Sequence, residues 1–314
     1  MANVLSELFS DIAGAIRDLA GESSSVKRKP TEFAEKIREV AENGGGSGGG
    51  GTLPAGLYWE TMDMVAPNEY YQHWFQYNGD IYATALAYTG TGSDYAIHKY
   101  TDSGWTTVVP STKVGVWLNA EFRIEFDGKI HYVGCSGKKH YAFDGASLTA
   151  LSDIPVKVDY SKPFILDGQL VVQDYNSCNF YAWSKDTDTW SQINTKTWTY
   201  SWVYGFNVGT DAYFIDSTKL YKIQDGSPVQ IGTLDAPPTK YHIAHDGKLY
   251  YNGGGSKNHP SPLYVYDFST NTSRRLGRVP KYAKYSNFWS YNGQVCFTFG
   301  DNNLGYSSAI MHVV

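Results

Sequence analysis

Along residues 53–314, large apolar or aromatic side chains alternate with polar ones in short runs, each bounded by a turn dipeptide. Alternation with a period of two is the signature of a strand. Six boundaries recur: Asn78-Gly79, Asp127-Gly128, Asp167-Gly168, Val208-Gly209, Asp246-Gly247 and Asn292-Gly293, with steps of 49, 40, 41, 38 and 46 residues between the glycines. A near-fixed period of this length means one supersecondary unit stacked repeatedly. Asn-Gly and Asp-Gly supply the two positive-φ residues of a type I′ hairpin turn. The fourth turn, Val208-Gly209-Thr210-Asp211, lacks the first of them.

The segment after each turn also repeats. Asp127-Gly128-Lys129-Ile130-His131-Tyr132-Val133-Gly134 parallels Asp246-Gly247-Lys248-Leu249-Tyr250-Tyr251-Asn252-Gly253. A third strand rich in aromatics comes next, as in Tyr141-Ala142-Phe143-Asp144 and Tyr264-Val265-Tyr266-Asp267, and a fourth runs toward Pro110, Pro155, Pro237 or Pro280. Proline is tolerated at strand ends because no ladder hydrogen bond is lost there. Four antiparallel strands in about 40 residues make one propeller blade. Leu57 to Val65 reads as a fourth strand lying before the first turn, while the last repeat stops after a third strand at about Ser308 to Val314. Pairing the two would close the ring and remove two exposed edges. The expected fold is therefore all-β: six blades over 53–314, closed by an N-terminal strand.

The glycines after the second strand (Gly134, Gly253, Gly300), the Tyr-x-Tyr-Asp of the third and the tryptophans opening the fourth (Trp59, Trp105, Trp190) resemble Kelch-type propellers in architecture.

Residues 1–43 have a different texture. Leu5, Leu8, Ile12, Ala15 and Leu19 recur at spacings of three and four, an amphipathic helix with a heptad-like seam. Thr31 can cap a second helix whose apolar stripe is Phe33, Ile37 and Val40. Helices this short are marginal alone, so these faces call for each other, for copies of themselves or for a partner. A Gly/Ser tether, residues 44–52, comes after them. The run from Leu5 to Arg17, then Gly21-Glu22, then Lys29 to Val40, resembles a segment found at the N-termini of virion proteins from phages of Gram-positive bacteria. That resemblance implies a helical anchor binding other virion proteins, a homo-oligomer, and location in a virion assembled in the host cytoplasm.

Composition narrows the alternatives. Net charge is −5 with no basic block, so a nucleic-acid footprint is not expected. No apolar run is long enough for a membrane span, and the N-terminus does not read as a signal peptide. Three cysteines, Cys135, Cys178 and Cys296, fall in different repeats and read as reduced, buried residues.

The chain carries no phosphate-loop, H-E-x-x-H or C-x-x-C motif, and no catalytic set, metal site or cofactor is expected. His242 and His245, three apart at a strand, fall on opposite faces and make a poor metal pair. Ser184-Lys185-Asp186-Thr187-Asp188-Thr189-Trp190 resembles the Asp-box turn of sialidases, with Asp188 in place of glycine, but the propeller's four arginines (Arg123, Arg274, Arg275, Arg278) do not suit a substrate-gripping triad. In Glu121-Phe122-Arg123-Ile124-Glu125-Phe126, expected to be the innermost strand of the second blade, the charged residues share one face. They read as an ion-pair ladder lining the channel, or alternatively as a polar acid–base site near the axis.

Aromatics precede the innermost strands: Tyr71, Trp117, Tyr160, Trp202, Tyr241 and Tyr285, with Tyr71, Tyr160 and Tyr285 each eight residues before their turn glycine. A ring of them at the face where blades connect suits stacking on sugars, or else it plugs the channel. The long loop from Gly253 to Pro262 adds Lys257, Asn258 and His259. Taken together, the expectation is a non-enzymatic tail fibre or receptor-binding protein that recognises a glycan or protein on the host surface. The alternatives are a capsid fibre or decoration protein, a glycan-processing enzyme on a propeller, and a cytosolic Kelch-type scaffold.

Overall fold

The computed structural model describes residues 57–62, 70–88, 93–111, 118–135, 138–158, 162–174, 177, 179–193, 204–253, 261–279, 287–301 and 305–313. The N-terminal helices and the tether expected over 1–52 lie outside them. The described strands begin with β1 (Leu57–Thr61). The first blade comprises β2 (Tyr70–Tyr77), β3 (Asp80–Tyr88), β4 (Ser93–Thr101) and β5 (Gly104–Val109). The second comprises β6 (Arg123–Phe126), β7 (Lys129–Cys135), β8 (Lys139–Phe143) and β9 (Leu148–Ala150). The third comprises β10 (Phe164–Leu166), β11 (Gln169–Gln173), β12 (Phe180–Ser184) and β13 (Thr189–Gln192). The fourth comprises β14 (Tyr204–Val208), β15 (Asp211–Asp216), β16 (Lys219–Gln224) and β17 (Ser227–Thr233). The fifth comprises β18 (Pro238–His245), β19 (Lys248–Gly253), β20 (Pro262–Asp267) and β21 (Thr272–Arg278). In the sixth, β22 (Asn287–Tyr291), β23 (Gln294–Asp301) and β24 (Gly305–Val313) stand in the order β1-β24-β23-β22. Six four-stranded sheets, five of them meanders of consecutive strands and the sixth combining β22–β24 with β1, make a six-bladed propeller.

The turn chemistry acts as the sequence requires. In five blades a two-residue turn joins the first two strands with both residues at positive φ, from Asn78 (51°) and Gly79 (83°) to Asn292 (47°) and Gly293 (75°). The fourth blade turns differently. Val208 pairs with Asp211, so Gly209 (φ 58°) is the first turn residue and Thr210 the second. Glycine in first place is the type II′ solution, which needs no Asn or Asp ahead of it. Asp188, where the Asp-box pattern has glycine, also adopts positive φ (48°), a conformation that Asp tolerates better than most residues. Its carboxylate accepts from Trp183 Nε1 at 2.9 Å and from the Ser152 amide at 3.1 Å, tying the third blade to the end of the second.

The core is a ring of seams. Period-two alternation sends successive side chains of one strand to opposite neighbours. In β11, Leu170 and Val172 pack toward the second blade and Val171 toward the fourth. The apolar clusters fall one per seam, including one between the sixth blade (Trp289, Cys296) and the first (Trp74, Ile81, Ala83). An open row of six blades has five seams, so this sixth cluster is what makes the array a ring. Being buried on both faces explains the near-continuous apolar and aromatic runs of the inner strands. On the turn side, hydrogen bonds step between neighbours: Tyr77 Oη to Gly128 O at 2.6 Å, Asn207 Nδ2 to Ile165 O at 2.7 Å, and Gln76 Nε2 to Asn292 Oδ1 at 3.0 Å.

Two sequence readings are adjusted. The segment opening the second blade is not one continuous strand: Ala120–Phe122 forms a 3-10 turn, with the Phe122 amide donating to Asn119 O, and the strand starts at Arg123. The last strand begins at Gly305 rather than near Ser308, because its ladder with β23 extends to the Asp301–Gly305 pair.

The glycine after the second strand has a definite task in the second blade. Gly134 sits at φ 87° where the β7–β8 register shifts, and a Cβ there would lie 3.0 Å from the buried Val158 side chain. Gly134→Ala is expected to lower stability by about 1–3 kcal/mol, through strain and overpacking together. Urea unfolding checks this; an unchanged midpoint would contradict it.

Candidate functional site

The first strands of all six blades surround an axial cavity. One lobe, of about 250 Å³, is lined by Phe75, Arg123, Glu125, Lys162, Tyr241, His242 and Asn287 among others. A second, of about 460 Å³, shares Arg123, Glu125, Lys162 and His242 and adds Ile165, Phe206 and Asn207. The polar residues are not scattered. Arg123, Lys162, His242 and Asn287 each stand five or six positions before the turn glycine of their blade (Gly128, Gly168, Gly247 and Gly293). They therefore share one level, in the half of the channel nearer the connections between blades.

Their bonding is specific. Arg123 Nη2 donates to Trp74 O at 3.1 Å, and its guanidinium lies 4.4 Å from the Phe75 ring centroid. Asn287 Nδ2 donates to the same Trp74 carbonyl at 3.1 Å and to Phe288 O at 3.1 Å. Blades two and six thus meet on one oxygen of blade one. Both acceptors are carbonyls, which fixes the amide orientation and leaves Oδ1 as the atom without a hydrogen-bond partner, in a residue only 1% exposed. Lys162 Nζ, from the third blade, donates to His242 O of the fifth at 3.3 Å, passing the fourth blade where Gly205 carries no side chain. His242 is buried between Tyr204 and Phe206, each centroid 5.6 Å away. Burial, reinforced by the charge of Lys162, holds its imidazole well below the usual histidine range, so the ring is neutral. Glu125 is exposed and is the single acid among these lining residues.

The charged face of the Glu121–Phe126 segment divides accordingly. Arg123 and Glu125 reach the cavity, Arg123 bonding to a carbonyl and an aromatic face, while the Glu121 side chain lies outside the described residues. Of the expected aromatic ring, Tyr241 lines the cavity and packs, half-buried, beside the core of the fifth and sixth blades. Tyr71 falls in β2, but its side chain is not described. Trp117, Tyr160, Trp202, Tyr285, Lys257, Asn258 and His259 lie outside the described residues, as do Leu5, Leu8, Ile12, Leu19, Phe33, Ile37 and Val40. His242 and His245 point apart: His242 lines the cavity, whereas His245 Nε2 bonds Gly293 O of the sixth blade at 2.9 Å. Arg274, Arg275 and Arg278 are on the outermost strand of their blade, β21, away from the axis.

A second polar constellation is buried in the seam between blades two and three. His131 Nδ1 and His140 Nε2 are 2.9 Å apart, enclosed by Phe126, Trp183 and Trp190. Burial, with the nearby Lys129 charge, pushes His131 down to about 4. Burial, with the His131 charge, pushes His140 down to about 3. This pair lies off the channel and belongs to the core.

Sheets and axis together define a six-bladed β-propeller with a polar channel. No known protein family's sequence profile matches the chain, and no curated protein matches it. Among solved structures the chain is similar to YjhT, at 10% identity and a TM-score of 0.58, over 81% of this chain and 97% of that one. TolB from Acinetobacter baumannii matches at 12% identity and a TM-score of 0.49, over 75% and 64% of the two chains. At such identity the likeness to YjhT speaks for the fold alone.

Proposed function

We propose that this protein recognises a surface glycan through the connection-side mouth of its axial channel, and that it does so as a virion protein of the tail-fibre or receptor-binding type. The observation that carries the reading is the cavity itself. Side chains from all the blades converge there, and an aromatic (Tyr241), an amide (Asn287) and two cations (Arg123, Lys162) stand around one space. Apolar walls with a few convergent polar groups are how small-ligand sites are built. Binding is favoured over turnover by the chemistry of the lining. Hydrolysing a glycosidic bond ordinarily takes two carboxyl groups, and the described lining residues include one, Glu125.

Location in a virion is supported by residues 5–40, whose pattern is similar to phage virion N-termini. In this reading the helices anchor the chain, the tether gives reach, and several copies per particle strengthen weak single sites. The propeller is taken to be Kelch-like and closed by β1. What supports closure is the order β1-β24-β23-β22, the Met62 amide donating to Ser308 O at 2.8 Å, and Trp59 Nε1 donating to Arg278 O at 3.0 Å.

A microarray of bacterial cell-surface polysaccharides probed with the full chain tests recognition; silence across it would sink the reading. Sedimentation of the full chain and of a form lacking residues 1–43 tests the anchor. The expected result is an oligomer that dissociates on truncation, and a monomer in both cases would contradict it.

A further inference from the structure

We propose that Asn78-Gly79, the turn of the first blade's inner hairpin, is a site of spontaneous covalent modification, and that the same dipeptide in the sixth blade is held back from it by Gln76. The inference is independent of the recognition reading. The chemistry is intramolecular. The Gly79 amide nitrogen attacks Asn78 Cγ and forms a new C–N bond. The side-chain nitrogen leaves as ammonia, carrying the proton that Gly79 gives up. Water from the solvent then opens the succinimide ring. Cleavage at Cγ yields aspartate, and cleavage at the Asn78 main-chain carbonyl yields isoaspartate, whose backbone runs through Cβ and Cγ. A glycine after the asparagine obstructs the attack least, since it carries no side chain.

The chain offers its own controls. Among the described residues Tyr-Asn-Gly occurs at 77–79, 251–253 and 291–293, so the local sequence is the same and the fold sets the order. Asn252 is 2% exposed, pairs with Leu263 in the ladder of β19, and accepts at Oδ1 from Thr239 Oγ1. Asn292 is exposed at its turn, but Gln76 of the first blade clasps it twice. Gln76 Nε2 donates to Asn292 Oδ1 at 3.0 Å, and the Asn292 amide donates to Gln76 Oε1 at 3.0 Å. Asn78 is exposed, and its carboxamide bonds to no described residue. Gly79 lies outside the ladder, which closes at the Tyr77–Asp80 pair, and a Cβ on it would meet nothing within 4 Å. Attack requires the carboxamide to swing over the glycine nitrogen, so local opening of the turn gates it. Asn78 opens without breaking a side-chain bond, whereas Asn292 must first release two.

The two products differ in their effect on the blade. Aspartate is what the second, third and fifth blades already carry at this turn position, as Asp127 (φ 50°), Asp167 (50°) and Asp246 (47°), against 51° for Asn78. Isoaspartate adds a methylene to a two-residue turn and displaces Gly79 O, which accepts from Gln76 Nε2 at 3.4 Å. Gln76 is also the residue that joins the first blade to the sixth at Asn292, so isoaspartate disturbs the ring-closing seam.

Incubation of the folded full chain at mildly alkaline pH, followed by peptide mass mapping and enzymatic labelling of isoaspartate, reads each site. Acid and isoaspartate are expected first at Asn78. Asn292 should lag by about 5- to 100-fold, the worth of two hydrogen bonds, and Asn252 should keep its amide. In urea the three tripeptides should convert at one rate. Gln76→Ala, shown folded by its melting curve, should bring Asn292 up toward the rate of Asn78. Asn78→Asp should melt with the unmodified protein, and the isoaspartate form, separated by chromatography, below it. The unaltered protein decides even if Gln76→Ala does not fold. Asn292 or Asn252 converting as fast as Asn78 in the fold, Asn78 staying intact while the urea sample converts, or the ranking persisting in urea would each overturn the proposal. A folded Gln76→Ala protein in which Asn292 stays slow would overturn the part given to Gln76.

Discussion

Trp74→Ala is expected to destabilise the propeller by about 3–5 kcal/mol, the range for removing a large aromatic from a packed core. Trp74 is 0% exposed and stands where the first and last blades meet. Its ring makes an edge contact with Trp105 at 5.0 Å and lies 6.1 Å from Trp289, whose Nε1 donates to Ser308 Oγ at 2.9 Å. The cavity would open in the seam that turns a row of blades into a ring. Loss should therefore be cooperative rather than confined to one blade. Chemical denaturation with tryptophan fluorescence and far-ultraviolet dichroism as parallel probes measures it. Two coincident transitions at lower denaturant are expected. A loss under about 1 kcal/mol, well below that range, would show that this seam does not hold the ring.

Acid should unfold the protein through buried histidines rather than through broken surface ion pairs. His131 and His140 are neutral in the fold and resist protonation down to about 4 and about 3. In the unfolded chain they titrate near about 6.5. Below that pH the unfolded state binds protons that the folded state does not, so stability falls as pH falls from about 6.5 toward 4 and levels off once the folded rings also protonate. Linkage gives about 3 kcal/mol for one ring over this window and up to about 6 if the two act independently. His242, buried beside Lys162, adds in the same direction. Asp188, whose charge favours a protonated His140, opposes the trend without reversing it. Denaturation at pH 7, 5.5 and 4, with imidazole resonances followed by NMR, checks the claim. Steady loss with the two rings still neutral at pH 5 is expected; constant stability to pH 4 would refute it. Surface pairs such as Lys139–Asp153 at 2.7 Å are half exposed and contribute little to this balance.

How much of the architecture is legible in the sequence varies with the physics. The blades can be read because a type I′ turn admits few residue types, so Asn-Gly and Asp-Gly mark each first hairpin. The fourth hairpin shows only as a glycine at the right interval, because type II′ needs only Gly209 and a lone glycine does not fix the turn's type or register. The seams are legible in outline, since strands buried on both faces must be apolar on both. Which neighbour each residue meets requires the register. The site is legible only in part. Arg123 and Glu125 stand out as charges on an inner strand. Lys162 and Asn287 are single polar residues at or before a strand start, a pattern shared by many loops. His242 attracts notice as half of an unlikely metal pair, when what matters is its burial beside Lys162. The spacing of five or six residues ahead of the turn glycine links all four, and that ruler is already in the sequence. What the sequence lacks is any sign that this level faces the channel.

The most direct test is the crystal structure of the full chain with an oligosaccharide selected on the array. The saccharide is expected in the axial channel, against the wall that Tyr241, Asn287, Arg123 and Lys162 line. A saccharide seated instead on the outer strands, for example along Arg274 and Arg275 of β21, with the channel free of sugar, would contradict the account.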